Sequence, residues 1–280
     1  MIRVAAVGDL HLAPDVAGRH RAGLERLPER ADVLLLAGDL TRHGTPEEAA
    51  VVAAEYADLG VPVVAVLGNH DYHCGEEVRV AALLSEAGVT VLEGESLVLD
   101  LPAGRLGVAG VKGFGLGFAG RCGSDFGEPE MRAFSRHGRD SAFSLARALR
   151  SLDTLETPVD VTVALTHYAP VDDTLLGEPP EIWPFLGNYL LGEAIDAGRC
   201  DLAVHGHAHA GYEKGMTLGG VRVRNVAQPV IRAAYAVFDV SPTRSVTLAD
   251  DSPSQESQDR GQRTRVAPGL TGASAGMVGP

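Results

Sequence analysis

The sequence predicts an α/β fold built on parallel sheet, on three observations. Apolar runs at residues 2–7, 33–37, 61–67, 161–165 and 202–204 are rich in Val, Leu and Ala, with no polar alternation. Such runs read as strands buried on both faces, as in parallel sheets. Stretches with helical spacing separate several of these runs, the mark of βαβ units. Each run is also followed at once by a short polar motif: Asp9-Leu10-His11, Gly38-Asp39, Gly68-Asn69-His70-Asp71, Thr166-His167 and Gly206-His207-Ala208-His209. Ligands of open α/β sheets bind beyond the carboxyl ends of the strands, so these motifs are placed to meet at one rim.

The elements follow in order. After the strand at 2–8, the Arg-rich stretch around 18–30 reads as a surface helix. A strand at 33–37 precedes Thr45-Pro46-Glu47-Glu48, a helix start in which Thr45 caps, Pro46 takes the first helical position and Glu48 completes a capping box. Ala49, Val52, Ala53, Tyr56 and Leu59 recur at helical spacing, and Gly60 ends the run. A strand at 61–67 and a helix from about Glu76 to Ala87 come next. From Val89 the texture changes: 89–92, 96–101 and 105–111 read as short strands of an antiparallel extension. Residues 112–138 are rich in Gly and Phe with weak periodicity, and are expected to form a lid or insert because ordinary connections are shorter. A helix is expected from about Asp140 to Leu152, with Phe143, Ala146, Leu149 and Leu152 on its inner face. The last third gives strand 160–165, an irregular stretch 168–187, a helix 188–197, strand 201–204 and further strands near 215–226 and 234–240. One domain is expected over 1–248. Residues 249–280, almost without large apolar side chains, are expected to be a disordered tail.

Bulk properties limit the function. With 45% hydrophobic residues in 280, the chain can build a large core. A formal charge of −13 opposes binding to long nucleic acid, which relies on clustered Lys and Arg. A small phosphorylated substrate stays compatible, because bound cations reverse the local field. Cys74, Cys122 and Cys200 have no zinc-ribbon spacing and read as free thiols. Arg3 interrupts the first apolar run and no run nears about 20 apolar residues, so a cytoplasmic protein without a membrane span is expected. The sequence specifies no oligomeric state.

The motifs supply two carboxylates (Asp9, Asp39), one amide (Asn69) and four imidazoles (His11, His167, His207, His209). Gly38 lets the backbone approach closely and leaves Asp39 free, and one carboxylate can bridge two cations. Asp9 and His11, two apart after a strand, are expected to point the same way. The set suits two ions of five or six ligands sharing a bridge. Mixed nitrogen and oxygen donors favour Mn, Fe, Zn, Ni or Co over Mg. Without thiolates, a purely structural zinc site is disfavoured.

In this order the motifs resemble the signatures of the calcineurin-like metallophosphoesterase superfamily: D-x-H, G-D, G-N-H-[DE], H and G-H-x-H. The resemblance spans roughly residues 1 to 240. It implies a four-layer αββα sandwich, two mixed sheets packed together and flanked by helices. It also implies that Asp9, His11 and His209 hold one divalent metal, that Asn69, His167 and His207 hold another, and that Asp39 bridges them. His70 would be the non-ligand histidine that serves the leaving group, and Asp71 the acid that orients it. The implied activity is hydrolysis of a phosphate mono- or diester on a small or medium molecule by a hydroxide bridging the two metals, with Mn the first choice in vitro. Related folds that have lost ligands serve as scaffolds, and nuclease action is a third reading. His205 fits no ligand position and reads as a supporting histidine. Arg42 and the basic residues Lys112, Arg121, Arg132, Arg136 and Arg139 are candidate anion binders. The loop 178–187, with the chain's one tryptophan, is a candidate wall for the organic part of a substrate.

Overall fold

The computed structural model describes residues 1–242. The predicted tail, 249–280, and the domain limit at 248 lie outside the described residues. The elements run β1 Ile2–Val7, α1 Arg21–Leu24, α2 Leu27–Arg30, β2 Val33–Ala37, α3 Pro46–Tyr56, β3 Val63–Val66, α4 Glu77–Glu86, β4 Val89–Val91, β5 Glu95–Leu101, β6 Gly104–Val111, β7 Gly117–Phe118, β8 Arg121–Cys122, α5 Pro129–Asp153, β9 Val161–Thr166, α6 Trp183–Leu186, α7 Tyr189–Ala197, β10 Leu202–His205, β11 Lys214–Met216, β12 Arg222–Asn225, α8 Gln228–Ile231 and β13 Ala236–Val240. The first large sheet has the order β13-β1-β2-β3-β4, and the second β11-β12-β10-β9-β6-β5. Strands β1 to β4 are mutually parallel and β13 closes their edge antiparallel. In the second sheet β6, β9, β10 and β12 are parallel, with antiparallel β5 and β11 at the edges.

Alternation along each strand builds three apolar layers. Val4, Ala6, Val33, Leu35, Val64 and Val66 face Leu106, Val108, Val161, Val163, Leu202 and Val204 between the sheets. Ala5, Val7, Leu34, Leu36 and Ala65 turn the other way, onto Leu24, Leu27, Val52, Tyr56, Val80 and Leu84 of the first helices. Ala109, Val111, Ala164 and Ala203 pack on Leu145, Leu149, Leu191 and Ile195 of α5 and α7. Sheets apolar on both faces, covered by helices outside, make the four-layer αββα sandwich. The Thr45 hydroxyl accepts the Glu48 amide at 3.2 Å and the Glu48 carboxylate returns to the Thr45 amide, so the capping box forms.

Three expectations need correction. Residues 89–111 are not one antiparallel extension: β4 adds parallel to β3, and only β5 and β6 form a hairpin, in the other sheet. The chain crosses between sheets at Leu92 to Gly94. Segment 112–138 is not one long loop, because α5 starts at Pro129. Its early buried face carries Ser135 and Gly138, which give no apolar period; a Cβ on Gly138 would lie 2.9 Å from the Gly115 carbonyl. Finally, α5 buries Ala142, Leu145, Leu149 and Leu152 and leaves Phe143 62% exposed, so the inner face is rotated from the predicted one.

Candidate metal centre

All seven candidate ligands converge beyond the carboxyl ends of β1, β2, β3, β9 and β10. Side-chain donors lie in three groups, each with its atoms within 4.8 Å of one another: Asp9, His11 and His209; His11, Asp39 and His70; Asp39, His167 and His207. His11 links the first group to the second, and Asp39 links the second to the third. Asn69 joins through its Oδ1, 2.9 Å from His167 Nε2. Adjacent parallel strands explain the first half of this set, since β1, β2 and β3 end side by side.

The loops that carry these residues are laced together. The amides of Asp9 and His11 donate to the carbonyls of Gly38 and Asp39 at 2.9 and 3.0 Å. The His207 amide donates to the Asp9 carboxylate at 2.9 Å, and the His70 amide to Asp39 Oδ1 at 2.8 Å. Asp9 and His11 do not lie in extended strand, as the spacing suggested. Their φ angles are 58° and 46°, and Asp39 and His207 also lie in the left-handed region at 50° and 71°. Glycine is required next to them: a Cβ on Gly68 would fall on the Asp39 carboxylate, and one on Gly206 on that of Asp9.

Backbone carbonyls set the imidazole orientations, the usual supporting contact of metal-binding histidine. His167 Nδ1 donates to the Ala37 carbonyl at 2.8 Å, leaving Nε2 toward Asn69 and, at 3.3 Å, Asp39 Oδ1. His207 Nε2 donates to the Phe185 carbonyl at 3.1 Å, which leaves Nδ1 as its lone-pair nitrogen. His70 Nδ1 lies 2.8 Å from the Arg42 carbonyl, leaving Nε2 3.9 Å from Asp39 Oδ2. His11 Nε2, also 3.9 Å from Asp39 Oδ2, is buried without a hydrogen-bond partner among the described residues.

Electrostatics follow from this crowding. Burial disfavours the charged form of Asp39, yet His167 beside it and the His70 amide hold its carboxyl well below the usual range. Burial likewise works against His167, but Asp39 outweighs it and holds the imidazolium up to about 9. Burial, with His167 nearby, lowers His207 to about 3, so its ring is neutral. Burial also lowers His11, while the hydrogen bond to Asp9 raises His209. The donor set therefore fits divalent cations: two carboxylates and an amide oxygen surround imidazole nitrogens, one of them buried with nothing to bond.

Asp71 stands differently from the expected role. Its fully buried carboxylate accepts from the amides of Leu40 (3.2 Å), Thr41 (2.8 Å) and Gly68 (2.7 Å) and from the Thr41 hydroxyl (2.6 Å). His70 is oriented by the Arg42 carbonyl instead. Asp71 thus ties the Asp39 loop to the Asn69 loop. Burial and the nearby Asp39 push its carboxyl up. His205 is buried behind the centre, its nitrogens 2.7 Å from the Gly206 carbonyl and 2.9 Å from Thr174 Oγ1. Arg42 pairs with Asp15 at 3.0 Å at the surface.

One feature went unread in the sequence. Asn69 also lines a cavity of about 540 Å³ whose wall includes Tyr72, Glu93, Lys112, Phe114, Tyr168 and Ser141 of α5. Of the five basic residues between 112 and 139, Lys112 alone lines it. Arg121 lies over the Trp183 ring, Arg132 donates to the Gly127 carbonyl and Arg139 pairs with Asp125. A basic residue at the end of a buried strand, two before an aromatic, was the available signal. From the loop 178–187, Phe185 reaches the centre through its carbonyl, while Trp183 packs in a small core with Phe118 and Leu175.

A profile of the family described as calcineurin-like phosphoesterase matches residues 2–211. No curated protein matches the chain. Among solved structures, phosphopantetheinyl hydrolase from Mycobacterium tuberculosis is similar at 17% identity and a TM-score of 0.54, over 84% of this chain and 95% of that one. TT1561 of Thermus thermophilus is similar at 17% identity and a TM-score of 0.55, over 85% and 98%. GAP50 of Plasmodium, described as the anchor in the inner membrane complex, is similar at 11% identity and a TM-score of 0.50, over 81% and 72%. At these identities the likeness to the three structures is one of fold.

Proposed function

Because the chain belongs to the calcineurin-like phosphoesterase family, which hydrolyses phosphoester bonds, we propose that it is a metal-dependent hydrolase of a small or medium phosphate mono- or diester. The observation that carries this reading is the sharing of Asp39 between the His11 side and the His167 side of one cluster. Asp9, His11 and His209 would hold one divalent ion and Asn69, His167 and His207 a second, with Asp39 common to both. Such ions, when bound, supply a hydroxide nucleophile near neutral pH and a Lewis-acid hold on phosphate oxygens.

The chain's own groups supply the rest. His70 keeps Nδ1 engaged with the Arg42 carbonyl, so Nε2 is free to carry a proton toward the substrate. Its side chain is 38% exposed, so a departing ester oxygen can reach it. Transfer of that proton to the oxygen releases an alcohol as water adds to phosphorus. Asp71 acts as a positioning residue, holding the Asp39 and Asn69 loops at fixed separation. The Ala37 and Phe185 carbonyls keep His167 and His207 turned to the centre.

The test is hydrolysis of p-nitrophenyl phosphate and its bis ester with Mn, Fe, Zn, Ni or Co added, alongside metal analysis of the purified protein. Metal-dependent turnover, abolished by Asp39→Asn, is the expected result. Folded protein that binds no metal and turns over neither ester would instead favour a scaffold, the reading that the fold likeness to GAP50 keeps in view. Nuclease action is disfavoured by the charge of −13.

A further inference from the structure

Lys112 is a buried cation that the proposed hydrolysis does not use. It follows β6 directly and is only 7% exposed. Its carbonyl accepts the amides of His167 and Tyr168 at 2.9 and 3.1 Å, so its position is tied to the metal centre's own loop. Gly113 fixes the turn that follows: its φ is +85°, and a Cβ there would lie 3.0 Å from that of Tyr168. The Lys112 ammonium sits over three rings, 4.8 Å from the Tyr72 centroid, 5.3 Å from Phe114 and 5.4 Å from Tyr168. Among the described residues it makes one hydrogen bond, to the Gly113 carbonyl at 3.1 Å. An ammonium has three hydrogens to place; the carboxylates of Glu93 and Asp39 offset part of its charge, yet two of those hydrogens have no acceptor among the described residues.

The cavity it lines is shared with the centre through Asn69, and Ser141 and Ser144 on α5 are also in its wall. Lys112 is the single Lys or Arg in its wall; the acids are Glu93 and Asp140. The Ser141 hydroxyl is buried and has no hydrogen-bond partner among the described residues. A volume of about 540 Å³ accommodates an organic group with substituents, within the range of small-molecule sites. A phosphoester whose reacting phosphate lies against Asn69 would extend its remaining atoms past the ammonium.

We propose that Lys112 determines substrate choice by binding a second anionic group, a phosphoryl or a carboxylate, carried on the non-reacting part of the substrate. This rests on the phosphoesterase reading for what occupies the centre. The aromatic cage stabilises the ammonium while the cavity is empty of anion, by cation–π attraction. On binding, the substrate's anionic oxygen takes the unused hydrogens, and the organic part packs on Phe114 and Tyr168. Glu93 and Asp140 would repel the same anion if Lys112 were neutralised, which makes the ammonium decisive for selection rather than additive.

Non-hydrolysable phosphonates test this by calorimetry on the full chain with Mn²⁺ present. Phenylphosphonate is compared with 4-carboxyphenylphosphonate and with benzene-1,4-diphosphonate. The wild type is expected to bind one or both doubly charged ligands at least roughly tenfold tighter than phenylphosphonate, the size of one charged hydrogen bond. Whichever is preferred identifies the second group as carboxylate or phosphoryl. Lys112→Met is expected to remove the preference, and Lys112→Arg to retain part of it. A wild type without preference, or a Lys112→Met protein weakened equally toward all three, overturns the proposal. The wild-type comparison decides even if Lys112→Met does not fold. Hydrolysis of phenyl phosphate is measured in parallel: its absence counts against the phosphoesterase reading, whereas the phosphonate preference judges Lys112.

Discussion

Asp71→Asn separates a positioning role from a chemical one. The carboxylate serves four donors: the Leu40 and Gly68 amides on Oδ2, and the Thr41 amide and hydroxyl on Oδ1. An asparagine keeps the shape but has one acceptor oxygen. In its better orientation that oxygen serves Leu40 and Gly68, and the amide nitrogen donates to the Thr41 hydroxyl. The Thr41 amide is then left facing a donor, at a cost of about 1–3 kcal/mol for a buried unpaired group. The two retained bonds lose their charge assistance, worth roughly another 1 kcal/mol. Removing a buried charge close to Asp39 returns part of this, since both burial and Asp39 disfavour the carboxylate. The net expectation is a loss of about 2 kcal/mol, read from urea unfolding of chelator-treated protein. The pH profile of hydrolysis should keep its shape, because His70 is held by the Arg42 carbonyl. A variant as stable as wild type, within about 0.5 kcal/mol, but with an altered pH profile would refute this and restore Asp71 as the partner of His70.

Metal affinity should fall as pH falls below about 9. In the metal-free protein Asp39 holds a proton on His167 up to about 9, and a ligand nitrogen must give that proton up. Below that pH each unit should cost about tenfold in apparent affinity for one proton displaced, measured by metal titration between pH 6 and 9; a flat profile would contradict the pairing. Gly38→Ala should cost about 2 kcal/mol and weaken metal binding roughly 10- to 100-fold, because φ is +80° and the new Cβ would lie 2.6 Å from His167 Nδ1. Thermal melting and the same titration check it. His11→Gly should weaken binding at the Asp9–His209 side of the cluster while the His167 side still takes an ion, and leave the chelated protein within about 1 kcal/mol of wild type or above it, as left-handed strain and an unbonded buried nitrogen are both removed. A loss beyond about 2 kcal/mol in urea would show that the ring is needed for folding.

The strands that carry the centre were legible because they are buried on both faces. Val4 and Ala5 point to different apolar layers, and a strand served on both sides has few polar positions to confuse its pattern. Helix α3 was legible because its start is local chemistry. What stayed hidden depends on partners far along the chain. The first half of α5 buries Ser135 and Gly138 against another loop's backbone, and small residues leave no hydrophobic period. Val89–Val91 and Glu95–Leu101 look alike in sequence yet join different sheets, and nothing local reports a crossing. The motif spacing marked Asp71 but could not show that its bonds go to residues 40, 41 and 68. Lys112 was one of five basic residues, distinguished in the sequence by its place after a buried strand, and packing then sets three rings around it.

Four residues of the centre, Asp9, His11, Asp39 and His207, are held in the left-handed region, where L-residues cost on the order of 1–2 kcal/mol each. About 4–8 kcal/mol in total is comparable to the whole stability of a typical domain, about 5–15 kcal/mol. Backbone bonds support this geometry. The Asp9, His11 and Leu12 amides continue the β1–β2 pairing onto the carbonyls of Gly38, Asp39 and Leu40, and Gly8 is tied to Val226 and Gln228 on the other side. Asp9, His11 and Asp39 thus lie in a ladder anchored in the apolar layer between the sheets, and His207 is held to it by the bond from its amide to the Asp9 carboxylate. A centre held by backbone bonds of this kind has less ordering left to pay for when a cation binds.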